Sequence, residues 1–270
     1  MAISKGILKM SGAFGTASCY FLPGSDKMIV RAKGGPSARR MKVGPEFEKV
    51  RKHQKEWKAC VIFSRYMQYA TGSIYNLADY NVSPVWNGLG KNIIKTDTEH
   101  SVGERNLLVS TCKSELQGFN LNKNYKLNAL LGVLPVLELD PDKLYASATF
   151  PAFNSAQDIL NVRKLPYFKL KICLGIISDI LYTPDDIRDC YKQESNMNGF
   201  RMETSTEWLS TNDKFDARKL EVQYEQEYVD MERTNLTYLL SMGIEFGNVG
   251  FGGKIESVKY AGAGKIMKVG

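Results

Sequence analysis

Histidine is scarce in this chain: its 270 residues include only two, His53 and His100. The five cysteines are scattered and form no C-x-x-C pair. Zinc and other transition metals need clustered His or Cys ligands, and a disulfide framework needs paired cysteines. We therefore expect no metal site and no disulfide. Reduced thiols are typical of cytoplasmic proteins.

Long apolar runs are also missing. No stretch approaches the roughly 20 apolar residues that a membrane-spanning helix requires. The N-terminus is mildly apolar, but Lys9, Gly12 and Thr16 interrupt it, which is not typical of a secretory signal. The sequence thus predicts a cytoplasmic protein with no membrane partner.

The motifs of common enzyme classes are absent as well. There is no Gly-x-Ser-x-Gly nucleophile elbow. Residues 262–265 end like a phosphate-binding loop, but Ile266 replaces the required Ser or Thr, and we interpret this run and residues 247–253 as hairpin turns. The acidic clusters at 140–142 and 185–189 fit turns, although a glycosidase-type carboxylate pair depends on distances in space and stays open. We expect no cofactor and no enzymatic activity.

Charge is distributed unevenly along the chain. Residues 1–66 hold 14 Lys and Arg against 4 Asp and Glu, a net charge of +10, while the remaining residues hold 22 against 25, a net charge of −3. A basic segment of this kind is the expected footprint of contacts to phosphate groups or to an acidic partner. The candidate contacts are Lys33, Arg39, Arg40, Lys42, Lys49, Arg51, Lys52, Lys55 and Lys58.

Residues 1–43 are predicted to form a β arm and a basic hinge. Short β-prone runs within residues 3–32 alternate with turn formers, among them Gly15 and the Pro-Gly-Ser-Asp sequence at 23–26, which predicts a hairpin or three strands. Such a piece is only marginally stable alone. It must therefore dock on the rest of the protein or on another chain.

Residues 44–126 are predicted to form a helical segment. Pro45 suits a first helical turn and Gly72 a helix end, so the spacing predicts a helix to about Thr71. Its apolar residues Phe47, Val50, Trp57 and Val61 fall on one face, which we expect to be buried, and residues 59–70 are apolar on most sides. Two further helices are predicted over 84–95 and 102–117, the second beginning at a capping-box pattern.

Residues 127–270 are rich in β-branched and aromatic residues, with turn signals about every ten residues. Charged and apolar residues alternate almost strictly over 221–228, which gives the clearest strand signal. Strands without long intervening helices indicate an antiparallel β-sandwich, and the whole chain is therefore predicted to be α+β. The predicted strands cover 133–139, 144–150, 167–177, 200–209, 220–229, 236–246 and 255–260.

Several short segments resemble a family of bacterial proteins of unassigned function associated with the Bacteroidetes. The matching segments are Ala-Lys-Gly-Gly at 32–35, Arg-Arg at 39–40, Pro-Glu-Phe at 45–47, Leu-Gln-Gly-Phe-Asn at 116–120 and Gly-Ile-Glu-Phe at 243–246. At residues 52–54 the chain has Lys-His-Gln where the family favours Glu-Asn. The resemblance implies an α+β cytosolic protein and transfers no site residues.

Two functions fit these features. The first is a non-enzymatic structural protein that self-associates, or docks a protein partner, through the N-terminal β arm. The second is a nucleic-acid-binding protein that uses the basic segment 33–58, with Phe47 or Trp57 available for stacking if exposed. By analogy of fold alone, a β-sandwich with Trp208 and many tyrosines also fits carbohydrate binding.

Overall fold

The computed structural model describes residues 2–4, 11–21, 27–184 and 190–270, the first three by their backbone alone. The chain divides into two compact units, Met1–Arg51 and Lys52–Gly270. The predicted turn at 23–26 and the acidic cluster at 185–189 lie outside the described residues. The α+β prediction is confirmed, with an N-terminal antiparallel sheet, a long helix and a curled C-terminal antiparallel sheet.

The N-terminal unit contains a small antiparallel sheet. Its strands are β1 (Ala2–Ser4), β2 (Gly12–Phe14), β3 (Ala17–Phe21) and β4 (Met28–Ala32), in the order β1-β4-β3-β2. Gly15 has a φ of +52° at the first position of the two-residue loop between β2 and β3, a conformation that glycine adopts without strain. The predicted turn at Gly15 is therefore confirmed.

The helices differ greatly in length. They are α1 (Ala38–Val43), α2 (Glu48–Thr71), α3 (Ser83–Ile93), α4 (Leu127–Leu130), α5 (Ser155–Asp158) and α6 (Gln226–Val229), with 3-10 turns at Pro45–Phe47, Gly72–Leu77, Ile94–Thr96, Lys113–Glu115 and Phe251–Gly253. The predicted long helix is confirmed, because Pro45 opens it through a 3-10 turn and Gly72, at a φ of +55°, ends it. None of the helices in the described ranges combines the length and hydrophobicity that a membrane span requires.

The helix predicted over 102–117 is wrong. Gly103 has a φ of +98°, outside the helical region, and Leu107 forms an isolated antiparallel bridge with Ile180. The Asp97 carboxylate accepts hydrogen bonds from three backbone N–H groups of the loop, those of Glu99, His100 and Asn106. These contacts offer the backbone an alternative to the helix, and the capping-box pattern closes only a single turn.

The second unit is built on two antiparallel sheets. Its strands are β5 (Val136–Asp140), β6 (Tyr145–Phe150), β7 (Phe153–Asn154), β8 (Tyr167–Ser178), β9 (Ile180–Tyr182), β10 (Tyr191–Gln193), β11 (Arg201–Ser205), β12 (Leu209–Ser210), β13 (Lys214–Phe215), β14 (Arg218–Gln223), β15 (Leu236–Val249), β16 (Ile255–Ser257) and β17 (Ala263–Val269). The large sheet has the order β11-β8-β15-β16, with β12 on β8 and β17 on β15, and the small sheet has the order β14-β6-β5. β7 and β13, and β9 and β10, form two-stranded pairs.

The long central strands bury both of their faces. Even-numbered residues of β8, such as Leu170 and Leu174, share a hydrophobic cluster with Ala148 of the small sheet. On the opposite face, Cys173 and Ile177 pack in a second cluster with residues of α2 and α3. Because side chains alternate along a strand, β8 is the middle layer between the small sheet and the helices.

Gly175, which has no side chain, allows α2 to approach β8 closely. A Cβ atom built on Gly175 of β8 would lie 1.9 Å from the Ala70 carbonyl oxygen of α2, so the end of the helix rests directly on the strand. The Cys173 thiol donates to the same carbonyl at 3.3 Å. Small residues at this crossing therefore determine how α2 lies on the sheet.

Two further predictions are corrected. The strand predicted over 220–229 ends at Gln223, and α6 then brings the Tyr228 ring against the rings of Tyr224 and Phe200, both at 5.8 Å. Residues 262–265, predicted to be a hairpin turn, lead into strand β17 instead, because Gly262 and Gly264 allow close contact with Ile244 and Ile74. Of residues 247–253, also predicted to be a hairpin turn, 247–249 belong to β15 and only 250–253 lie in the connection to β16.

Candidate functional site

Four of the predicted basic contacts lie on the exposed surface of the N-terminal unit. Arg39, Arg40 and Lys42 belong to α1, and Lys33 precedes that helix. α1 contains no buried residue, and its N-cap, Ser37, accepts a hydrogen bond from the Arg40 N–H at 3.2 Å. The helix thus displays its cations to solvent.

Two of the nine cations stabilise the bend between α1 and α2. The Arg40 Nε donates to Glu46 Oε1 at 2.7 Å. The Arg51 Nη1 donates to the carbonyl oxygens of Met41, at 3.0 Å, and Gly44, at 2.7 Å. Hydrogen bonds to its own backbone and to Arg40 lower the pKa of Glu46. Arg40 and Arg51 therefore have local structural partners, which reduces their availability to a ligand.

The remaining predicted cations lie on α2. Lys49, Lys55 and Lys58 are exposed, and Lys52 is half-buried. The Lys55 ammonium lies 5.7 Å from the centre of the Tyr182 ring, and the stem of Lys52 packs against Gly103. The helix presents cations at several points around its circumference.

The apolar stripe predicted on α2 is exposed, so the prediction of its burial is wrong. Val50, Trp57 and Val61 are 40%, 46% and 38% exposed. The buried face carries one carboxylate, Glu56, together with Ala59, Cys60, Phe63, Ser64, Met67, Ala70 and Thr71. It is this face, and not the one with Trp57, that packs toward the sheet, where Ala70 approaches Gly175.

Trp57 borders an open groove of about 450 Å³. Val61 and Arg65 of α2 line one side of this groove, and Tyr191 and Gln193 of β10 line another. An exposed indole beside cationic side chains is suited to stacking on a planar group and to pairing with an anion.

Glu56, which the sequence places among the lysines of α2, is fully buried. Its carboxylate accepts hydrogen bonds from Arg105 Nε (2.8 Å) and Nη2 (3.0 Å), from Lys91 Nζ (2.8 Å) and from the Gly103 N–H (2.9 Å). Burial alone raises the pKa of Glu56, but these donors outweigh it and hold the pKa at about 2. His53, more than half exposed, lies 3.7 Å from the same carboxylate.

The partners of Glu56 follow it by 35 and 49 residues, so no local pattern in the sequence marks this cluster. Every carboxylate oxygen in it has at least two donors. The cluster therefore joins α2 to α3 and to the loop at 103–105.

The described residues contain no group of three or more His, Cys, Asp or Glu that could hold a metal ion. Burial raises the pKa of the Cys60 thiol to about 11 and also raises that of Cys173. Both thiols are therefore protonated and unreactive at neutral pH.

Among the described residues, no strand pairs with the outer side of β2, so the N-terminal sheet has an open edge there. β2 pairs with β3 on one side, and its three residues are exposed, Phe14 by 50%. Among the described residues of this unit, the buried apolar side chains are Cys19, Met28 and Ile29. A sheet with so small a core and an unpaired outer strand would gain hydrogen bonds and stability by pairing with a further strand.

No protein-family model matches the chain, and no curated protein or solved structure is significantly similar to it. The resemblance to a Bacteroidetes family therefore stays a prediction. Any function must be argued from the residues themselves.

Proposed function

We propose that this protein is a non-enzymatic assembly protein whose copies join through β2, the outer strand of the N-terminal sheet. The observation that carries the proposal is the fully exposed edge of a four-stranded sheet that buries few apolar side chains. Its five cysteines are free thiols, which fits a cytoplasmic location.

A second copy of the chain suits this edge. Two β2 strands can pair antiparallel across a two-fold axis, because the same strand then supplies both sides of the interface. In the β2–β3 hairpin, Phe14 and Ala17 flank the two-residue loop, so Gly12 and Phe14 direct their backbone groups toward β3. The Ala13 N–H and C=O consequently point to the open edge.

Substitution at Ala13 tests this interface. Ala13→Pro removes the outward N–H and leaves the hydrogen bonds to β3 in place, whereas the control Ala13→Val keeps the N–H and favours the strand. We expect the unmodified protein and Ala13→Val to form the same oligomer, and Ala13→Pro to be a monomer. Light-scattering mass measured across a sizing-column peak checks this. A monomeric unmodified protein, or an oligomer that Ala13→Pro leaves intact, would rule the interface out.

A nucleic-acid-binding function is the second candidate. It is favoured by the exposed indole of Trp57 beside the exposed Arg65, together with the basic residues of α1. Its test is fluorescence anisotropy with a labelled single-stranded oligonucleotide at increasing salt. Binding that weakens steeply with salt and is reduced in Trp57→Ala supports this function, and binding that is absent or independent of salt excludes it.

A further inference from the structure

A groove with aromatic and polar walls lies on the second unit, built from segments that no prediction brought together. Two cavities of about 500 and 690 Å³ share Asp79, Tyr260 and Gly262. Three segments surround the cavities. The first follows the 3-10 turn Gly72–Leu77, the second is the loop at 122–125, and the third connects β16 to β17. Each cavity has the volume of a small-molecule pocket, so a ligand that spans both is elongated.

Hydrogen bonds fix the three segments to one another. The buried Asn122 Nδ2 donates to the carbonyl oxygens of Leu77, at 2.7 Å, and Gly262, at 3.2 Å, while its Oδ1 accepts from the Gly264 N–H at 2.9 Å. The Asp79 carboxylate accepts from two backbone N–H groups, at 123 and 124, each at 2.9 Å. The floor of the groove is therefore preorganised, which lowers the entropic cost of binding a ligand.

Two tyrosine rings stand at the groove with large exposed areas. Tyr125 is 45% exposed and Tyr260 is 63% exposed. Tyr260 has a φ of +59°, a conformation that non-glycine residues rarely adopt, at the position shared by the two cavities. Tyr75 and Tyr80 line the larger cavity. Exposed rings such as those of Tyr125 and Tyr260 can stack on flat apolar faces, for example the C–H face of a pyranose ring.

The polar residues of the groove suit a ligand with many hydroxyl groups and no net charge. Asn76, Asn81 and Asn124 offer amides that both donate and accept hydrogen bonds. The cations Arg163 and Lys259 are balanced by Asp79 and Glu245. Hydroxyl groups need such mixed donors and acceptors, whereas a polyanion would need an excess of cations.

We propose that this groove binds a neutral carbohydrate chain, which crosses Tyr260 and stacks sugar rings on Tyr260 and Tyr125. The amides of Asn76, Asn81 and Asn124 then form hydrogen bonds with the hydroxyl groups at the edges of the sugar rings. This binding site is independent of the assembly proposed through β2. The carboxylates of the groove already have partners, because Asp79 accepts two backbone hydrogen bonds and Glu245 pairs with Lys171 at 2.6 Å.

The test uses the full chain on an array of printed neutral glycans, followed by calorimetric titration with soluble maltohexaose, cellohexaose, xylohexaose and chitohexaose. We expect binding to at least one glycan class. Tyr260→Ala and Tyr125→Ala should each weaken it about tenfold or more, since a stacking contact of about 1.4 kcal/mol corresponds to a factor of ten. Tyr69→Ala is the matched control, because Tyr69 is 47% exposed and lies outside the groove, and it should bind as the unmodified protein does.

A second variant separates loss of binding from loss of folding. Glycine tolerates the positive φ at position 260, so Tyr260→Gly keeps the backbone of the loop and removes only the ring. It should show an unchanged thermal midpoint and the same weakened binding as Tyr260→Ala. Absence of binding to every glycan at millimolar concentration, or equal binding by the unmodified protein and both Tyr260 variants, would overturn the proposal.

Discussion

Glu56 is the single residue whose charge contributes most clearly to the packing of α2. Its carboxylate is fully buried and is held by Arg105, Lys91 and the Gly103 N–H. Removing one member of such a cluster leaves the other charges without their partner in a site that excludes water.

Glu56→Gln is therefore expected to destabilise the fold by about 3–5 kcal/mol, the usual cost of breaking a buried ion pair from one side. Urea unfolding followed by circular dichroism measures this. Glu115→Gln, at an exposed carboxylate, is the control and should change the free energy of unfolding by less than about 0.5 kcal/mol. Equal stabilities of the two variants would contradict the role assigned to Glu56.

The same residue predicts a dependence of stability on pH. The folded state lowers the pKa of Glu56 from its ordinary 4.5 to about 2, so the folded state favours the ionised form. The contribution of Glu56 is complete above about pH 4.5 and is lost as the pH falls to about 2, a total of roughly 3 kcal/mol. Unfolding curves at several pH values should show a smaller loss over this interval in Glu56→Gln, and a loss of equal size in both proteins would disprove it.

At the scale of secondary-structure elements, the contact between α2 and β8 depends on the absence of a side chain at Gly175. Gly175→Ala places a Cβ atom 1.9 Å from the Ala70 carbonyl oxygen, so the helix or the strand must move. We expect a loss of about 3 kcal/mol or more, the upper range for overpacked cores.

Gly88→Ala is the matched control. Gly88 lies in α3, and a Cβ atom there meets nothing within 4 Å. Alanine favours the helix over glycine by up to about 1 kcal/mol, so this variant should be slightly more stable than the unmodified protein. Thermal unfolding of both variants checks the pair, and a neutral Gly175→Ala would show that the close approach has no energetic importance.

The ends of a helix were predictable from the sequence where residues at those positions determine them. Pro45 and Gly72 mark the start and the end of the long helix because proline and glycine act through their own backbone. The segment 102–117 was not predictable, because the Asp97 carboxylate and the Leu107–Ile180 bridge act over distances that periodicity does not reveal. The burial predicted for the stripe of Val50, Trp57 and Val61 was wrong, because a different face of α2 packs on the sheet.

The candidate sites were predictable only in part. The basic residues were named from composition, and four of them, Lys33, Arg39, Arg40 and Lys42, are exposed in the N-terminal unit. The groove at Tyr260 was missed, because its walls come from residues 75–81, 122–125, 162–163, 245 and 257–262, which become neighbours only after β15, β16 and β17 have paired. Asn122 contacts Gly262, 140 residues further on, and no sequence motif records such a contact.

At the scale of the whole molecule, residues 31–40 are all exposed, and α1 buries no residue. Brief digestion with trypsin should therefore first cut after Lys33, Arg39, Arg40 or Lys42 and leave a large, resistant C-terminal fragment. Mass spectrometry of the fragments measures this. Chymotrypsin is the control, because residues 33–46 contain no aromatic side chain, and it should spare the segment. First tryptic cuts within 52–270 would contradict the prediction.

The pairing of β8 with β15 also bears on the speed of folding. Each residue of β8 is matched across the ladder, yet the nearest matched residues, Ser178 and Leu236, are separated by six described strands, β9 to β14, and by α6. A long loop must close before the ladder gains any hydrogen bond, and topologies of this kind fold slowly. Until β15 has paired with β8, both apolar faces of β8 remain exposed to water and to other chains. Newly made copies are therefore most prone to aggregate in this interval, before the central ladder forms.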